Sequence, residues 1–384
     1  MRRVYLDHTA TTPVDPRVLE AMQPYFSETY GNASSVHWFG QKARHVLELA
    51  RETIAGRIGA QAGELFFTSG GTESDNFALV GAAYAARSKG KRHVITSKAE
   101  HHAVLEPCEV LAEEGFAVSL LDIDRDGMVS PEAVHGAMTD STFLVSIMSA
   151  NNEVGTIYPV KEISEIAHAR GAMVHSDAVQ SLGKMPLDVR ELGVDLMTLS
   201  AHKIYGPKGI GALYVRKGTA IEPILHGGGQ ERGKRPGTEN VPLAVGFAKA
   251  VELAVNEMEV EIKRMSRLRV ELEARLRSRF PAIIINGHPT LRLPHILNVS
   301  FDSNKISLEG EMLLMNMDIH GIAVTSGSAC TSGSMQPSHV LLAMGRDTKT
   351  AKATLRFAFG KSNTMDDVDY VVETMDEVIG RMMA

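Results

Sequence analysis

Cysteine is scarce. Cys108 and Cys330 are the only two in 384 residues, too few for a disulfide framework, and neither has the CxxC partner of a zinc or thioredoxin-like site. A disulfide-stapled extracellular scaffold is excluded. No run approaches the roughly 18 apolar residues of a spanning helix, and MRRVYLDHTATTPVDP has no apolar stretch of the secretory kind. No lysine and arginine block dominates any region, and the formal net charge is −6, so neither membrane attachment nor direct nucleic-acid binding is expected. Repeats and low-complexity segments are missing too. With 44% hydrophobic and 22% charged residues, the expectation is a soluble, cytoplasmic, globular protein.

Hydrophobic patterning supplies the architecture. Strands are expected at 65–68, 93–97, 117–121, 143–148, 173–176, 195–199 and 211–215, and helices at 72–88, 101–114, 131–138 and 161–170. A short helix is expected over 15–26 and a long one over 37–59. Apolar runs alternating with crossovers of this length imply a mostly parallel sheet with helices on both faces, an α/β class. From residue 241, some forty residues keep helical periodicity, as one or two linking helices. Strands around 295–301 and 353–359, and a helix capped by the Thr364 hydroxyl with Asp367, complete a smaller α+β domain. The expected division is 15–260 for the large domain, with 1–14 and 261–384 for the small one.

Chemistry-bearing residues gather where strands should end. Thr68-Ser69-Gly70-Gly71-Thr72 joins a strand to a helix, where backbone N–H groups and the Thr72 hydroxyl suit a phosphate. A plain helix cap is the alternative. Gly227–Arg232 and Pro236–Asn240 resemble further ligand-facing loops. Asp177 follows one apolar strand and Lys203 another, so both belong at the carboxyl rim of a parallel sheet. Lys203 is a Schiff-base candidate, and Asp177 could keep a pyridine nitrogen protonated; taken alone, Lys203 would be a surface residue. His101 could stack on a flat cofactor or move protons, and the segment Asn151-Asn152-Glu153 could set an amide against a phenolic oxygen. The histidines fit no metal spacing. Arg356, among apolar neighbours, suits a substrate carboxylate or an internal salt bridge. Cys108 reads as a buried small hydrophobe. Cys330, within Thr325–Ser334, has little to pack against and is better explained by reactivity.

Together these residues resemble the pyridoxal-phosphate cysteine desulfurases of the NifS/IscS type, in the class V branch of aminotransferase-fold enzymes. The resemblance runs from Tyr5-Leu6-Asp7 and Gly31–His37 to the region of Arg356. It implies the type I fold of pyridoxal-phosphate transferases (aspartate aminotransferase-like) and a cofactor, pyridoxal 5'-phosphate, carried on Lys203. Asp177 would pair with its ring nitrogen, His101 would stack on the ring, and Asn152 and Gln180 would reach its phenolic oxygen. Gly71, Thr72, Ser200 and His202 would hold the phosphate, joined by Thr238 from the other subunit of a homodimer. Arg356, helped by Asn32, would take the carboxylate of L-cysteine. The substrate would displace Lys203 in an external aldimine, and Cys330 would then take the sulfur as a persulfide, leaving alanine. The loop around Cys330, about 324–336, resembles that of the branch serving iron–sulfur scaffold proteins, and its cysteine could transiently ligate a cluster. Alternatives are a lyase acting on selenocysteine or cysteine sulfinate, and a sulfur-transfer scaffold of low activity. Three positions depart from the family pattern. His8-Thr9-Ala10 stands where Asn-Ala-Ala is usual, Gly71 where alanine is common and Pro236 where serine is common. His8 is expected to alter substrate fit, rate or pH dependence.

Overall fold

The computed structural model describes residues 2–327 and 336–383. In chain order the first elements are β1 (Val4–Tyr5), α1 (Pro16–Met22), α2 (Pro24–Ser27), α3 (Trp38–Arg57), β2 (Leu65–Thr68), α4 (Gly71–Arg87), β3 (His93–Ser97), α5 (His102–Glu113) and β4 (Ala117–Leu121). Next come α6 (Pro131–Ala137), β5 (Thr142–Ser146), α7 (Val160–Ala169), β6 (Met173–Asp177), α8 (Val189–Leu192), β7 (Leu196–Ser200), β8 (Gly211–Val215) and α9 (Val241–Arg279). The last are β9 (Ile283–Asn286), β10 (Ile296–Phe301), α10 (Gly310–Ile319), β11 (Ile322–Ala323), α11 (His339–Ala343), α12 (Thr348–Lys352), β12 (Thr354–Ala358) and α13 (Met365–Met383).

A seven-stranded sheet in the order β2-β8-β7-β6-β5-β3-β4 forms the centre, parallel except for β8, which runs against both its neighbours. Because both faces are covered, the inner strands are buried at almost every position, whereas β4 at the edge is mostly exposed or half-buried. Leu65, Ile95, Val145 and Ala212 face one core with α3, α7 and the start of α9. Phe66, Val94, Leu144 and Leu213, one residue out of phase, face the other with α4 and α5.

The forty-residue pattern is one helix, α9, about 58 Å long at about 1.5 Å per residue. Val241 to Leu253 pack into the first of those cores, and Met265 to Leu276 into a separate core under β10, β12 and α13. There β9, β10 and β12 form a three-stranded antiparallel sheet, and β1 pairs with β11 in a small parallel ladder.

Three local expectations are corrected. Residues 15–26 form two helices, because Pro24 has no N–H to continue the first. At α13 the Asp367 carboxylate accepts from the Thr364 N–H at 3.0 Å as expected, but the Asp367 N–H goes to the Thr364 carbonyl, not its hydroxyl. β1, α8, β9, α10, β11, α11 and α12 have no counterpart among the sequence expectations; β1 and β11 are only two residues long, below the reach of any periodicity.

Candidate active site

Strands β2, β3, β5, β6 and β7 all end on one side of the large sheet, and the loops that follow them converge there. Lys203 closes a single 3-10 turn, Ala201–Lys203, directly after β7. Its Nζ donates to the carbonyls of Thr9 and Ala10 at 2.6 and 2.7 Å. Burial lowers this ammonium to about 8; the charge of Arg356 pushes the same way and those of Asp177 and Asp7 oppose it. The amine is therefore closer to its nucleophilic form than an exposed lysine.

Asp177 is the last residue of β6. One oxygen, Oδ1, accepts from the Val179 N–H at 2.8 Å. Burial raises its pKa, while that N–H and the charge of Lys203 lower it. Behind it stands Asp75 of α4, fully buried, 3.5 Å from His175 Nε2. His175 is fixed by Ser146 Oγ at 2.8 Å and Thr198 Oγ1 at 3.1 Å. Burial and the nearby Asp177 push the Asp75 carboxyl well up, so the two carboxyls do not ionise together.

His101 caps α5 through Nδ1, which accepts from the Ala103 N–H at 3.1 Å. Its pKa falls to about 4, first through desolvation and then through the charges of Lys203, His102 and His339. At neutral pH it is an uncharged ring. Gln180, nine-tenths buried, donates to the Thr9 carbonyl at 3.0 Å, so its amide and Lys203 share that acceptor.

The proposed phosphate loop opens α4, whose first N–H groups have no partner inside the helix. Beside it the Ser200 hydroxyl is buried and unpaired among the described residues. A methyl group at Gly71 would lie 3.0 Å from Val179 Cγ2 and 3.8 Å from Ser200 Cβ, so the common alanine would fit here only if Val179 shifted. His202 is held by Thr11 Oγ1 at 3.1 Å, and burial lowers it to about 4. Thr72 and Thr238 are exposed. Arg235 bridges Glu73 by two bonds of 2.7 and 3.0 Å, which ties the 236–240 loop to the start of α4.

Other expected residues are placed less simply. Arg356 is 5% exposed; its Nη2 donates to Asp7 Oδ1 at 2.8 Å and its Nη1 to the Asn152 carbonyl at 3.0 Å, while Nε is left over. The internal salt bridge thus exists, and a substrate carboxylate would have to share the guanidinium with Asp7. Asn32 is exposed, and its side chain accepts from the Ser34 N–H in a local turn; among the described residues it makes no hydrogen bond to Arg356. Asn151 supports its own turn by accepting from the N–H groups of Glu153 and Val154, which leaves Asn152 as the amide at this position. In the Gly227–Arg232 run the three glycines are exposed and the last two side chains turn back onto β2. Glu231 is buried against Arg51, and Arg232 Nη2 donates to the Leu65 carbonyl at 2.7 Å.

Cys108 is buried and its thiol is pushed up to about 12, mainly by burial, as a packing residue should be. Cys330 lies outside the described residues. His8 is buried with both ring nitrogens unpaired among the described residues, against the bare backbone of Gly360. Burial and the charges of Lys184 and Arg264 lower it to about 4. Sequence reasoning missed Asp7 on Arg356, Asp75 behind Asp177, and the carbonyls of Thr9 and Ala10.

A further carboxylate beneath the site yields a test. Glu100, fully buried, accepts from Ser97 Oγ and the Met148 N–H at 2.9 and 3.0 Å. Burial still raises it from 4.5 to about 8. Because the folded-state value is the higher one, the stability linked to this proton is complete below about 4.5 and is lost as pH rises through about 8. Urea unfolding across this range should show Glu100→Gln losing less stability than the parent, by on the order of 5 kcal/mol. Parallel curves for the two proteins would contradict the raised value.

A mostly parallel sheet with a half-buried lysine, an aspartate and a phosphate-ready helix start at one rim, joined to a smaller α+β unit, defines an aminotransferase-like enzyme fold of type I. The chain belongs to the class-V aminotransferase family, whose model matches residues 4–371. A cysteine desulfurase IscS of Dictyoglomus turgidum is 48% identical over 381 residues, covering 99% of this chain and 95% of that protein. One from Methanosarcina thermophila is 49% identical over 381 residues, covering 99% and 93%. A solved structure described as a NifS-like protein superimposes with a TM-score of 0.92 at 42% identity, covering 99% of this chain and all of that one. No helix among the described residues is long and apolar enough to cross a membrane.

Proposed function

We propose that the chain is a pyridoxal-phosphate-dependent cysteine desulfurase, which converts L-cysteine and an acceptor thiol into L-alanine and a persulfide. The observation that carries this reading is the convergence of Lys203, Asp177 and the unpaired Ser200 hydroxyl at one sheet rim, in a chain that matches cysteine desulfurases over nearly its whole length. The residues fit the cofactor. The orphaned Ser200 hydroxyl and the α4 N-terminus, with Gly71, Thr72 and His202, offer a phosphate cradle, and Asp177 keeps Oδ2 for a protonated ring nitrogen. Asn152 and Gln180 would serve the phenolic oxygen. The bound cofactor supplies an electron sink for negative charge at the substrate α-carbon.

The chain's own groups do the rest. Lys203 Nζ would anchor the cofactor, and its neutral amine would serve as the acceptor of the substrate α-proton. His101, neutral at working pH, would pack against the cofactor without adding charge. Arg356 holds the substrate carboxylate, and its pairing with Asp7 keeps the fork in place until then. Asn32 would help from the rim. Cys330 as thiolate attacks the substrate sulfur, so an S–S bond forms as the C–S bond breaks. The product persulfide passes to an acceptor, in this reading an iron–sulfur scaffold protein, with Cys330 a transient cluster ligand in that handover. The working form is a cytoplasmic homodimer in which Thr238 completes the other subunit's phosphate site.

Cys330→Ser tests the reading. The variant is expected to keep the cofactor's absorbance and lose alanine release from L-cysteine by about a thousandfold or more. Full activity in that variant would sink the persulfide route.

A further inference from the structure

Glu153 has no place in the mechanism above, yet it is 3% exposed and sits between the candidate site and the chain on either side of Cys330. Its backbone is fixed by Asn151 Oδ1, which accepts its N–H at 2.8 Å, and by Asn298 Nδ2, which donates to its carbonyl at 3.2 Å. Glu153 Oε2 accepts from Ser338 Oγ at 2.5 Å, a charge-assisted bond. Gly327 lies against the same oxygen: a methyl group on its Cα would stand 2.5 Å from Oε2. Gly327 has φ +102°, a conformation that side chains disfavour. Two positions eleven residues apart in sequence, flanking Cys330, therefore meet at one carboxylate oxygen.

Neighbouring contacts secure each end. The Thr325 carbonyl accepts from the Arg356 N–H at 2.6 Å. Beyond Ser338, whose hydroxyl also caps α11 by accepting from the Leu341 N–H, His339 bonds the Glu100 carbonyl at 2.9 Å and packs its ring 4.9 Å from that of His102. Glu153 also follows Asn152, whose carbonyl receives Arg356. One short turn thus touches both the carboxylate-binding arginine and the two ends of the thiol-bearing segment.

We infer that Glu153 is a positioning residue: it clasps both ends of the segment carrying Cys330 and so sets where the thiol is delivered, without binding cofactor or substrate. This rests on the desulfurase reading. Its effect belongs to the step that needs Cys330. Cofactor capture and cysteine binding stand outside it.

The experiment uses the cofactor-loaded enzyme and three variants, Glu153→Ala, Glu153→Gln and Ser338→Ala, with the Glu153→Ala/Ser338→Ala double. Glu153→Ala is expected to lower kcat for alanine release by about 10- to 100-fold, with the KM for L-cysteine and the cofactor absorbance unchanged. Glu153→Gln, whose amide oxygen still accepts from Ser338, should recover most of the rate. In the double variant, Ser338→Ala should add nothing to the kcat loss, because the partner is already gone. A second readout needs no turnover. Cys108 is buried, so the mass gained with iodoacetamide reports Cys330, and Glu153→Ala should be alkylated severalfold faster than the parent.

Unchanged kcat and alkylation in Glu153→Ala would overturn the proposal. So would loss of cofactor absorbance alongside the rate, or additive effects in the double variant. If the parent itself released no alanine, the desulfurase reading would fall, and the alkylation rates would still decide whether Glu153 is the anchor.

Discussion

Lys203→Ala is expected to lower alanine release by about a thousandfold or more, since it removes the cofactor anchor and the proton acceptor together. The fold should survive. Among the described residues the Lys203 amine makes its hydrogen bonds to the Thr9 and Ala10 carbonyls, and its burial works against its own charge. The urea midpoint of the variant should therefore stay near that of the parent or rise. The same burial predicts a pH signature in the cofactor-free protein. Capture of pyridoxal phosphate needs the neutral amine, so the rate of absorbance gain should climb as pH rises toward about 8, where Lys203 gives up its proton. A rate that is flat from about pH 6 to about pH 9 would contradict the lowered value.

The second large effect lies away from the chemistry. Glu231→Ala is expected to destabilise the loaded enzyme by about 3–5 kcal/mol, read from urea unfolding. Arg51 and Glu231 meet through two bonds of 2.7 Å with side chains only 3% and 2% exposed. Each has a further backbone partner: Arg51 donates to the Leu65 carbonyl and Glu231 accepts from the Phe67 N–H. Removing the acid leaves the buried guanidinium to the half-exposed Glu48, 3.2 Å from its Nε, and to the Leu65 carbonyl, a poorer match than the two-bond pair. Exchanging both partners for apolar residues, as Arg51→Met with Glu231→Leu, should recover much of the loss, because two desolvation costs disappear with the pair. A single variant as stable as the parent would mean that water reaches Arg51.

The contrast between the two sites shows what was legible in the sequence. Lys203 and Asp177 could be placed at strand ends because the strands before them are short, buried on both faces and apolar enough to stand out from the turns that follow. The same signal found every strand of the large sheet. Glu231 misled because a glycine-rich polar loop looks alike whether it faces a ligand or folds inward onto an arginine 180 residues away. The partners of Lys203 were invisible for another reason: they are carbonyls, which every residue carries. Asp7 was quoted within the Tyr5-Leu6-Asp7 match, but no local pattern connects it with Arg356, 349 residues later. Glu153 was read as part of an amide-bearing turn, and only the fold brings Gly327 and Ser338 to it.

The first dozen residues carry a consequence for how the chain is made. Val4 and Tyr5 pair with Ile322 and Ala323, the His8 N–H donates to the Ala358 carbonyl, and the Thr12 N–H reaches His202. A ribosome-bound chain has therefore exported the lysine, the aspartate and the whole seven-stranded sheet before the segment that caps them finds its place. Until β12 emerges, Asp7 has no arginine to hold, although the bonds of Thr12 to His202 and Tyr205 can already set Thr9 and Ala10 beside Lys203. Fragments ending short of residue 354 are consequently expected to fold their large sheet with Asp7 unpaired and the substrate-carboxylate site unfinished, so tight L-cysteine binding serves as a report that synthesis has passed β12.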